Sequence, residues 1–260
     1  MAVLTACGIG YFASLWRMRF EEEGIVQLLS QTGPISVEYT EPKFFGLIPG
    51  RVYSASLWAN KSVPEEPFRE LLRFSKLKSV DLSFSNVGPG HFQLSERNDS
   101  IEKLIPFCCR NFDDAALRLC ATNFMSLTYL NLHGTELSDL GGTSLGKLKQ
   151  LKWLNVNGTG IGDDTMKEVL SQCNELEKLV ASETDIGNEI IGPLFSHPTL
   201  KYVDISNTNI GAEVLASAKP PTGIKHLTHW SKTPISPSAR DRFKTAFPNV
   251  GITMGPVRRE

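Results

Sequence analysis

Side chains able to bind a partner recur at nearly constant intervals in the carboxyl-terminal half of this 260-residue chain. Tyr129 and Trp153 lie 24 residues apart, and Tyr202 follows after two further intervals. Tyrosine and tryptophan combine a large apolar area with a hydrogen-bonding tip, which is why protein-binding surfaces are rich in them. Polar side chains recur at the same spacing. The candidate binding residues are therefore Tyr129, Trp153, Tyr202, Trp230, His133, Asn131, Asn155 and Asp204.

A structural role is the alternative for the same residues. Neighbouring rings on a sheet cover one another and the sheet below, which contributes about 0.2–1 kcal/mol per cross-strand pair. Asn131 and Asn155 either contact a ligand or form a hydrogen-bonded ladder between adjacent strands.

Residues that commonly carry out catalysis or bind metal form no motif here. His226 and His229, three residues apart, point to opposite faces of a strand, which argues against joint metal binding. Asp163 and Asp164 fit the start of a helix, where negative charge is favourable. No Gly-rich phosphate loop and no nucleophile with a placed base is present. We therefore expect neither an enzyme nor a bound cofactor or metal.

The cysteines give no sign of a zinc site. They are Cys7, Cys108, Cys109, Cys120 and Cys173, with no C-x-x-C spacing. Cys109 occupies a repeat position where a small buried residue is expected. A redox pair with Cys108 is the alternative, but adjacent cysteines form a disulfide only with strain. The net charge of -1 gives no reason to expect nucleic acid as a partner.

The elements that position these residues follow from one skeleton, L-x-x-L-x-L-x-x-T-x-I. Clear copies are Leu127 to Leu137, Leu151 to Ile161, Leu176 to Ile186 and Leu200 to Ile210. Weaker copies complete the series, and the copies start at residues 52, 77, 101, 127, 151, 176, 200 and 224. This period, with apolar residues at positions 0, 3, 5 and 10, is typical of leucine-rich repeats.

The skeleton also predicts which side chains face outward. Positions 3 and 5 of each repeat point into the solenoid, so positions 2, 4 and 6 point out from the sheet. Successive strands must pair in parallel, because each returns by a crossover of about twenty residues. Crossovers such as Asp163 to Leu170 have helical spacing and helix-entry residues. We predict an α/β solenoid of about eight repeats, with parallel strands on the concave face and helices on the convex face.

The chain divides into four predicted segments. Residues 1–16 form an uncharged apolar segment, residues 17–51 a helix and strand that cap the stack, residues 52–252 the repeat domain, and residues 253–260 a tail. Solenoid ends need such a cover. Phe20 to Gln31 is predicted as the helix, Ile35 to Tyr39 as the strand, and Phe247 to Ile252 as a final short strand.

The first segment is predicted to attach the protein to a membrane. Sixteen residues fall short of the roughly twenty that cross a bilayer, so an incomplete start is part of this hypothesis. Arg17 and Arg19 favour cytoplasmic repeats by the positive-inside rule, while an anchored bacterial protein could equally face the periplasm. The alternative is a soluble cytoplasmic protein whose residues 1–16 pack on the repeats as an apolar helix.

The chain resembles bacterial leucine-rich repeat proteins that have an amino-terminal apolar anchor. The resemblance rests on the repeats over residues 52–252, on the segment Gly33 to Tyr39, and on the runs Thr159 to Asp163 and Thr184 to Asn188. The sequence departs from the pattern at Phe84 to Ser100 and at Phe107 to Cys109, which predicts irregularity in the second and third repeats. The resemblance implies a scaffold for protein interaction and names no ligand.

These observations predict a non-catalytic module that binds a protein or peptide on the concave face of the sheet and is tethered to a membrane. The second hypothesis is a structural or assembly role, in which a flank or edge of the solenoid pairs with another copy. An enzyme has little support, because a repeat solenoid is open and lacks a deep pocket that excludes water.

Overall fold

The computed structural model describes residues 2–43, 49–221, 223–230, 236–247 and 251–254. In these residues one sheet has ten strands, arranged in the order of the chain. The strands are β1 (Ser36–Tyr39), β2 (Val52–Ser56), β3 (Ser79–Asp81), β4 (Lys103–Ile105), β5 (Tyr129–Asn131), β6 (Trp153–Asn155), β7 (Lys178–Val180), β8 (Tyr202–Asp204), β9 (His226–His229) and β10 (Gly251–Met254). Strands β2 to β10 pair in parallel, and β1 pairs antiparallel with β2.

Helical segments connect the strands on the other side of the sheet. They are α1 (Ala2–Ser30), α2 (Glu65–Leu71), α3 (Asp114–Asn123), α4 (Asp139–Gly142), α5 (Asp163–Gln172), α6 (Ile191–Ser196), α7 (Ala212–Ser217) and α8 (Pro237–Ala246). Short 3-10 turns lie at Pro89–Phe92, Thr143–Lys147 and Asn188–Ile190. The predicted α/β solenoid, with a parallel sheet on one face and helices on the other, is confirmed.

The core consists of the inward positions that the skeleton predicted. Position 3 of every repeat is buried: Ala55, Val80, Leu104, Leu130, Leu154, Leu179, Val203 and Leu227. Full burial of an aliphatic side chain of this size contributes roughly 1.5–3 kcal/mol, so repetition of the position along the stack is a main source of stability. Cys109 is also fully buried, as expected.

Strands β2 to β8 are each followed by the same left-handed turn. Position 7 has a positive φ in seven successive repeats: Ala59, Phe84, Cys108, Gly134, Gly158, Glu183 and Asn207. The turn keeps the backbone paired beyond the strand, since the N–H of Gly134 donates to the carbonyl of Asn157 at 2.9 Å. The inter-strand hydrogen bonds therefore fix this conformation even where the residue is not glycine.

Two further hydrogen bonds recur along the later repeats. The buried threonine at position 8 donates its hydroxyl to the position-5 carbonyl, as Thr159 does to Val156 at 2.6 Å. At position 12 an acidic or amide side chain accepts from the next repeat. Asp139 accepts from the N–H of Gly162 at 2.9 Å. These bonds explain why Thr-x-Ile precedes a small and then a polar residue.

The predicted irregularity holds for the second repeat and is wrong for most of the third. In the second repeat, the single 3-10 turn Pro89–Phe92 replaces the helix. In the third, α3 forms normally because the side chain of Asp113 caps its first turn at the N–H groups of Ala115 and Ala116. Pro106 lacks the N–H that position 5 uses for pairing, yet Cys108 N–H bonds to the His133 carbonyl at 2.7 Å and the sheet continues.

The amino-terminal end carries a helix and a strand, in the place predicted for a cap. The helix is longer than predicted, because α1 runs without interruption from Ala2 to Ser30. It is attached by Glu22, whose Oε1 accepts from Arg51 Nε at 2.7 Å and whose Oε2 accepts from the Val52 N–H at 3.0 Å. Within the described residues, no helix is both long and apolar enough to cross a membrane.

At the carboxyl-terminal end a final strand, β10, overlaps the predicted strand only at Gly251 and Ile252, since Phe247 is not in a strand and residues 248–250 lie outside the described residues. It pairs in parallel with β9, from Gly251 opposite His226 to Met254 opposite His229, so it extends two residues beyond the predicted boundary at 252. In the copy that starts at residue 224, the threonine and isoleucine of the skeleton are Thr233 and Ile235, each one position later than in the clear copies. Both lie outside the described residues.

Candidate binding surface

The outward row at position 2 has the register that the skeleton predicted. Tyr129 lies opposite Trp153 on the neighbouring strand, and Trp153 lies opposite Lys178. Lys178 in turn lies opposite Tyr202, which lies opposite His226. Tyr129 and Trp153 are half-buried, and 43% of Tyr202 is exposed. The three predicted aromatic residues therefore share one row on the outer face of the sheet.

Two lysines enclose the first aromatic pair. The rings of Tyr129 and Trp153 are parallel within 1°, with centroids 4.1 Å apart. Lys103 Nζ is 4.8 Å from the Tyr129 centroid, and Lys178 Nζ is 5.8 Å from the Trp153 centroid. Because Lys103 and Lys178 come from the two flanking strands, each ring has a stacked ring on one face and an ammonium on the other. We call Lys103, Tyr129, Trp153 and Lys178 the Lys–aromatic ladder.

Tyr202 belongs to a second, separate stack. Lys178 lies between it and Trp153 in the register, and the Tyr202 ring stacks on His226 with centroids 4.9 Å apart and an angle of 5°. His226 is exposed while His229 is buried, so the expectation that the two histidines face opposite sides is confirmed. The row therefore has two aromatic contacts separated by a cation.

The predicted polar residues at position 4 accept hydrogen bonds from the backbone just beyond the end of their own strands. Asn131 Oδ1 accepts from the His133 N–H at 3.2 Å, and Asn155 Oδ1 accepts from the Asn157 N–H at 2.9 Å. Asp204 Oδ1 accepts from the N–H of Ser206 at 3.0 Å and from its hydroxyl at 2.6 Å. Each Oδ1 thus has a partner within its own repeat, and the side chains remain half-buried on the outer face.

His133 and Trp230 lie at different places in the position-6 row. His133 stacks on Phe107 with centroids 4.6 Å apart. The ring centroids of Phe107 and Phe84 are 5.2 Å apart, and those of Phe84 and Trp58 are 6.0 Å apart. We call Trp58, Phe84, Phe107 and His133 the aromatic ridge. Trp230 is 46% exposed at the opposite end of the row, beyond Asn157, Ser182 and Ser206.

Sequence reasoning missed four residues of this surface. Lys103, Lys178 and His226 lie at outward position 2, but their contacts with aromatic rings depend on their neighbours across strands. Phe84 lies at position 7, which the outward pattern of positions 2, 4 and 6 does not include, and its φ of 59° brings its ring beside Phe107. A phenylalanine at a position where three later repeats have glycine or asparagine is the signal that could have identified it.

The electrostatics of the ladder favour hydrogen-bond donation. Partial burial, with a smaller effect from the negative charge of Asp81, raises the pKa of Tyr129 above its usual value. The phenol therefore stays protonated at neutral pH and can donate. Asp81 itself is held by Ser83, whose N–H and hydroxyl donate to Oδ1 at 2.9 and 2.6 Å.

A concave groove lies away from this surface. It has a volume of about 910 Å³ and lies between α1 and α2, with Ile25, Leu28 and Phe74 among its apolar residues. Arg51 and Arg73 line it as well. The groove is thus a feature of the cap. None of the binding residues predicted on the sheet lines it.

Comparisons with known proteins identify the class of fold. A family profile described as Leucine Rich repeat matches residues 125–146. A leucine-rich repeat protein of Leptospira interrogans superposes with a TM-score of 0.53 at 21% identity, covering 74% of this chain and 52% of that one. The fold of this protein is thus a leucine-rich repeat solenoid, as the period of the skeleton indicated.

Two Listeria monocytogenes proteins are also similar. An internalin C2 has a TM-score of 0.47 at 17% identity, covering 68% of this chain and 80% of that one. A second internalin has a TM-score of 0.47 at 20% identity, covering 71% of this chain and 48% of that one. The chain thus spans about half the length of the second internalin and of the Leptospira protein. A search of curated protein sequences gives no match.

Proposed function

We propose that the outer face of the sheet is a non-catalytic surface that captures a protein or peptide. The observation that carries the proposal is the Lys–aromatic ladder, in which Tyr129 and Trp153 are stacked between two lysines at the centre of an open sheet. Rigid, partly exposed aromatic residues are preferred anchors of protein interfaces because they lose little conformational entropy on binding. The fold supports the coarser statement that this is an interaction module, since leucine-rich repeats are extended binding scaffolds.

The neighbouring residues extend the same surface. The aromatic ridge adds Trp58 and Phe84, which are 56% and 38% exposed. Tyr202 and Trp230 contribute exposed aromatic area on the other side of the ladder. Asn131, Asn155 and Asp204 keep polar atoms at this face beyond those used to close their strands. The arrangement gives aromatic anchors beside polar groups, which is the composition of a protein-binding surface.

Selection from a displayed library of random short peptides tests this proposal. The full chain is the bait, and the Tyr129→Ala/Trp153→Ala double variant is the comparison. We expect peptides that bind the wild-type chain and lose about tenfold or more in affinity on the double variant, as for central anchors. Phe20→Ala is the matched control, because this ring is 65% exposed on α1, away from the sheet.

Urea unfolding of the same variants separates binding from packing. If the double variant folds and binds every selected peptide as tightly as the wild type, the sheet face is not the binding surface. If it loses stability but retains affinity, the stacked rings serve only to cover the sheet. An equal loss of affinity in Phe20→Ala would place the peptide on α1.

A second candidate, assembly through an edge of the sheet, has one specific observation in its favour. Strand β1 is the first strand of the sheet and pairs with β2 alone among the described strands, and three of its four residues are exposed. A strand with an open edge can pair with another chain. Sedimentation at increasing concentration tests this candidate: a monomer at every concentration removes self-assembly through β1.

Membrane tethering through residues 1–16 is proposed as part of the same function. Its support is the absence of charge in this segment and its continuity with α1. Fractionation of cells that express the full chain is the test. Recovery entirely in the soluble fraction would reject the tether, and recovery with membranes that is lost on deletion of residues 1–16 would support it.

A further inference from the structure

The four central strands of the sheet, β4 to β7, carry no carboxylate at outward positions 2, 4 and 6, and Asp81 and Asp204 lie one strand beyond them on either side, opposite Ile105 and Val180. The only charged side chains at these positions of β4 to β7 are Lys103 and Lys178, both at position 2. Among the described residues, neither Lys103 nor Lys178 forms a salt bridge, while the nearby Glu102 and Glu177 are paired with Lys78 and Lys201 at 2.5 and 2.9 Å. The two ammonium groups are therefore available to an incoming anion.

The aromatic rings of the ladder offer only their edges to a ligand. Both faces of Tyr129 and of Trp153 are covered, by each other and by the two lysines. Ring edges carry partial positive charge, and the phenol O–H and indole N–H are donors. An anionic, hydrogen-bond-accepting ligand therefore complements both the rings and the lysines.

Covered ring faces argue against ligands that bind by stacking. Single-stranded nucleic acids are recognised by stacking their bases on open aromatic faces, which Tyr129 and Trp153 lack. Carboxylates on a polypeptide need no such face. They need cations, donors and apolar area for the carbon stems, and Ile105 and Val180 provide half-buried apolar area two residues after each lysine.

The spacing of the two cations indicates how the ligand is arranged. Lys103 and Lys178 are three strands apart, which at about 4.8 Å per strand is roughly 14 Å. An extended chain rises about 3.4 Å per residue, so residues i and i+4 are also roughly 14 Å apart and point to the same side. The residue between them, i+2, would then lie over the edges of Tyr129 and Trp153.

We propose that the Lys–aromatic ladder binds an extended acidic peptide segment that crosses the strands, with carboxylates at residues i and i+4 and an apolar side chain at i+2. This inference rests on the proposed function of the sheet face and adds the chemistry of the partner to it. Lys103 and Lys178 each pair with one carboxylate, and Asn131 and Asn155 lie beneath the middle of the peptide.

The peptide selection described above provides the test. We expect the peptides that depend on Tyr129 and Trp153 to be enriched in acidic pairs spaced i and i+4 around an apolar residue. For such a peptide, Lys103→Gln and Lys178→Gln should each weaken binding about two- to fivefold, as expected for one partly exposed charge pair. Lys103→Arg should retain binding, because it keeps the charge. Lys152→Gln is the matched control, since Lys152 precedes β6 and pairs with Glu175 outside the ladder.

The remaining outcomes separate the two proposals. Neutral or basic peptides that depend on Tyr129 and Trp153 would leave the binding surface in place and overturn the acidic ligand. No enriched peptide, or peptides indifferent to the aromatic double variant, would overturn both. Displacement of an acidic peptide by an oligodeoxythymidine at equal concentration would assign the surface to nucleic acid and reject the peptide. Unfolding curves of each lysine variant confirm that the native fold is compared.

Discussion

The first three repeats and the next four build the same turn from different residues. Three of the four later repeats have Gly134, Gly158 and Asn207 at the left-handed position, which are residues that tolerate a positive φ, and Glu183 is the exception. The earlier ones have Ala59 and Phe84 there, at φ values of 56° and 59°. The inter-strand hydrogen bonds of the neighbours, rather than the preference of each residue, therefore determine the backbone conformation.

The two regions also differ in how their repeats are attached to one another. Later repeats use the same contact again and again, an acceptor at position 12 that receives the next repeat's N–H, as in Asp139, Asp163 and Asn188. In the earlier region the third repeat has an equivalent contact, in which Asp114 Oδ1 accepts from the Ser138 N–H at 2.9 Å, whereas the second repeat and the cap use other contacts. Asn98 Nδ2 donates to the Leu72 carbonyl at 2.7 Å, and Glu22 holds Arg51. We therefore expect the loss of a single contact to lower the free energy of unfolding more in the earlier region than in the later repeats.

Glu22→Gln is expected to have the largest effect. The carboxylate of Glu22 is 2% exposed, and its loss would leave the guanidinium of Arg51 in a buried site without its charge partner. Removal of one partner of a buried pair destabilises by about 3–5 kcal/mol. Urea unfolding measures the loss, with Glu21→Gln as control, since the Arg17–Glu21 pair is solvent-exposed. A change below about 1 kcal/mol would show that the cap does not depend on this pair.

Removal of one repeated contact should lower the free energy of unfolding by less than Glu22→Gln does. Asp139→Ala would leave the N–H groups of Gly162 and Thr165, both at 2.9 Å from Oδ1, without their acceptor. Loss of a partner for partly buried donors costs about 1–3 kcal/mol. Asp164→Ala is the control, because its side chain is 85% exposed. A loss for Asp139→Ala as large as that for Glu22→Gln would remove the distinction between the two regions.

The same aspartate gives a pH dependence. Partial burial opposes its ionisation, but hydrogen bonds from Thr165 and Gly162 prevail and lower its pKa below the usual value. A depressed carboxyl pKa stabilises the fold above the pKa of the unfolded chain, and this stability is lost as pH falls through the folded value. Asp139→Ala should therefore show a smaller decline in stability in that acidic window than the wild type.

Two buried histidines of the later repeats predict a second pH effect. Burial lowers the pKa of His197 and of His229, against the opposing hydrogen bonds to the carbonyls of Cys173 and Ile205. The unfolded chain therefore takes up protons first as pH falls below about 6.5, and the fold loses stability by up to about 1.4 kcal/mol per pH unit for each histidine. In the earlier region His91 has hydrogen bonds at both ring nitrogens, to the Gly88 N–H and the Val63 carbonyl.

Unfolding measured from pH 7.5 to 5 in wild type and in His197→Gln/His229→Gln checks this expectation, since the window follows from the unfolded histidine pKa of about 6.5. The wild type should lose stability as pH falls, and the double variant should show a flatter profile. The slope is the diagnostic quantity, because substitution in the core also lowers stability at every pH. Equal slopes in the two proteins would contradict the assignment.

Much of the fold could be predicted from the sequence because each copy of the repeat independently indicates the same strand register. Leu127, Leu151, Leu176 and Leu200 each begin a copy, and the strands pair in the register that these starts require. The third repeat was predicted to be irregular because its sequence departs from the pattern at Phe107 to Cys109, whereas hydrogen bonds at Ile105 and Cys108 keep it in the sheet. A local irregularity in one repeat is thus weaker than the constraint from its neighbours.

Less of the candidate surface could be predicted, since it depends on contacts between repeats. The row containing Tyr129, Trp153 and Tyr202 followed from alternation, but Lys178 divides it and the rings choose different partners. Which face a ring covers is decided by side-chain packing across strands, which sequence spacing does not specify. Whether these residues bind a ligand stays a prediction.

The left-handed turn allows the most direct test of the comparison, although the expected change in stability is the smallest. Glu183 occupies the left-handed position among the later repeats, with φ 56°, and its side chain is exposed. Glycine removes the steric cost of about 1–2 kcal/mol for a side chain in this conformation, although the unfolded chain gains entropy. We expect Glu183→Gly to stabilise the protein by about 0.5–1 kcal/mol, and Gly158→Ala to destabilise it by a similar or larger amount. Thermal unfolding measures both. If Glu183→Gly is neutral while Gly158→Ala is costly, the neighbouring strands already relieve the strain at Glu183, and the non-glycine turns of the first repeats would be tolerated for the same reason.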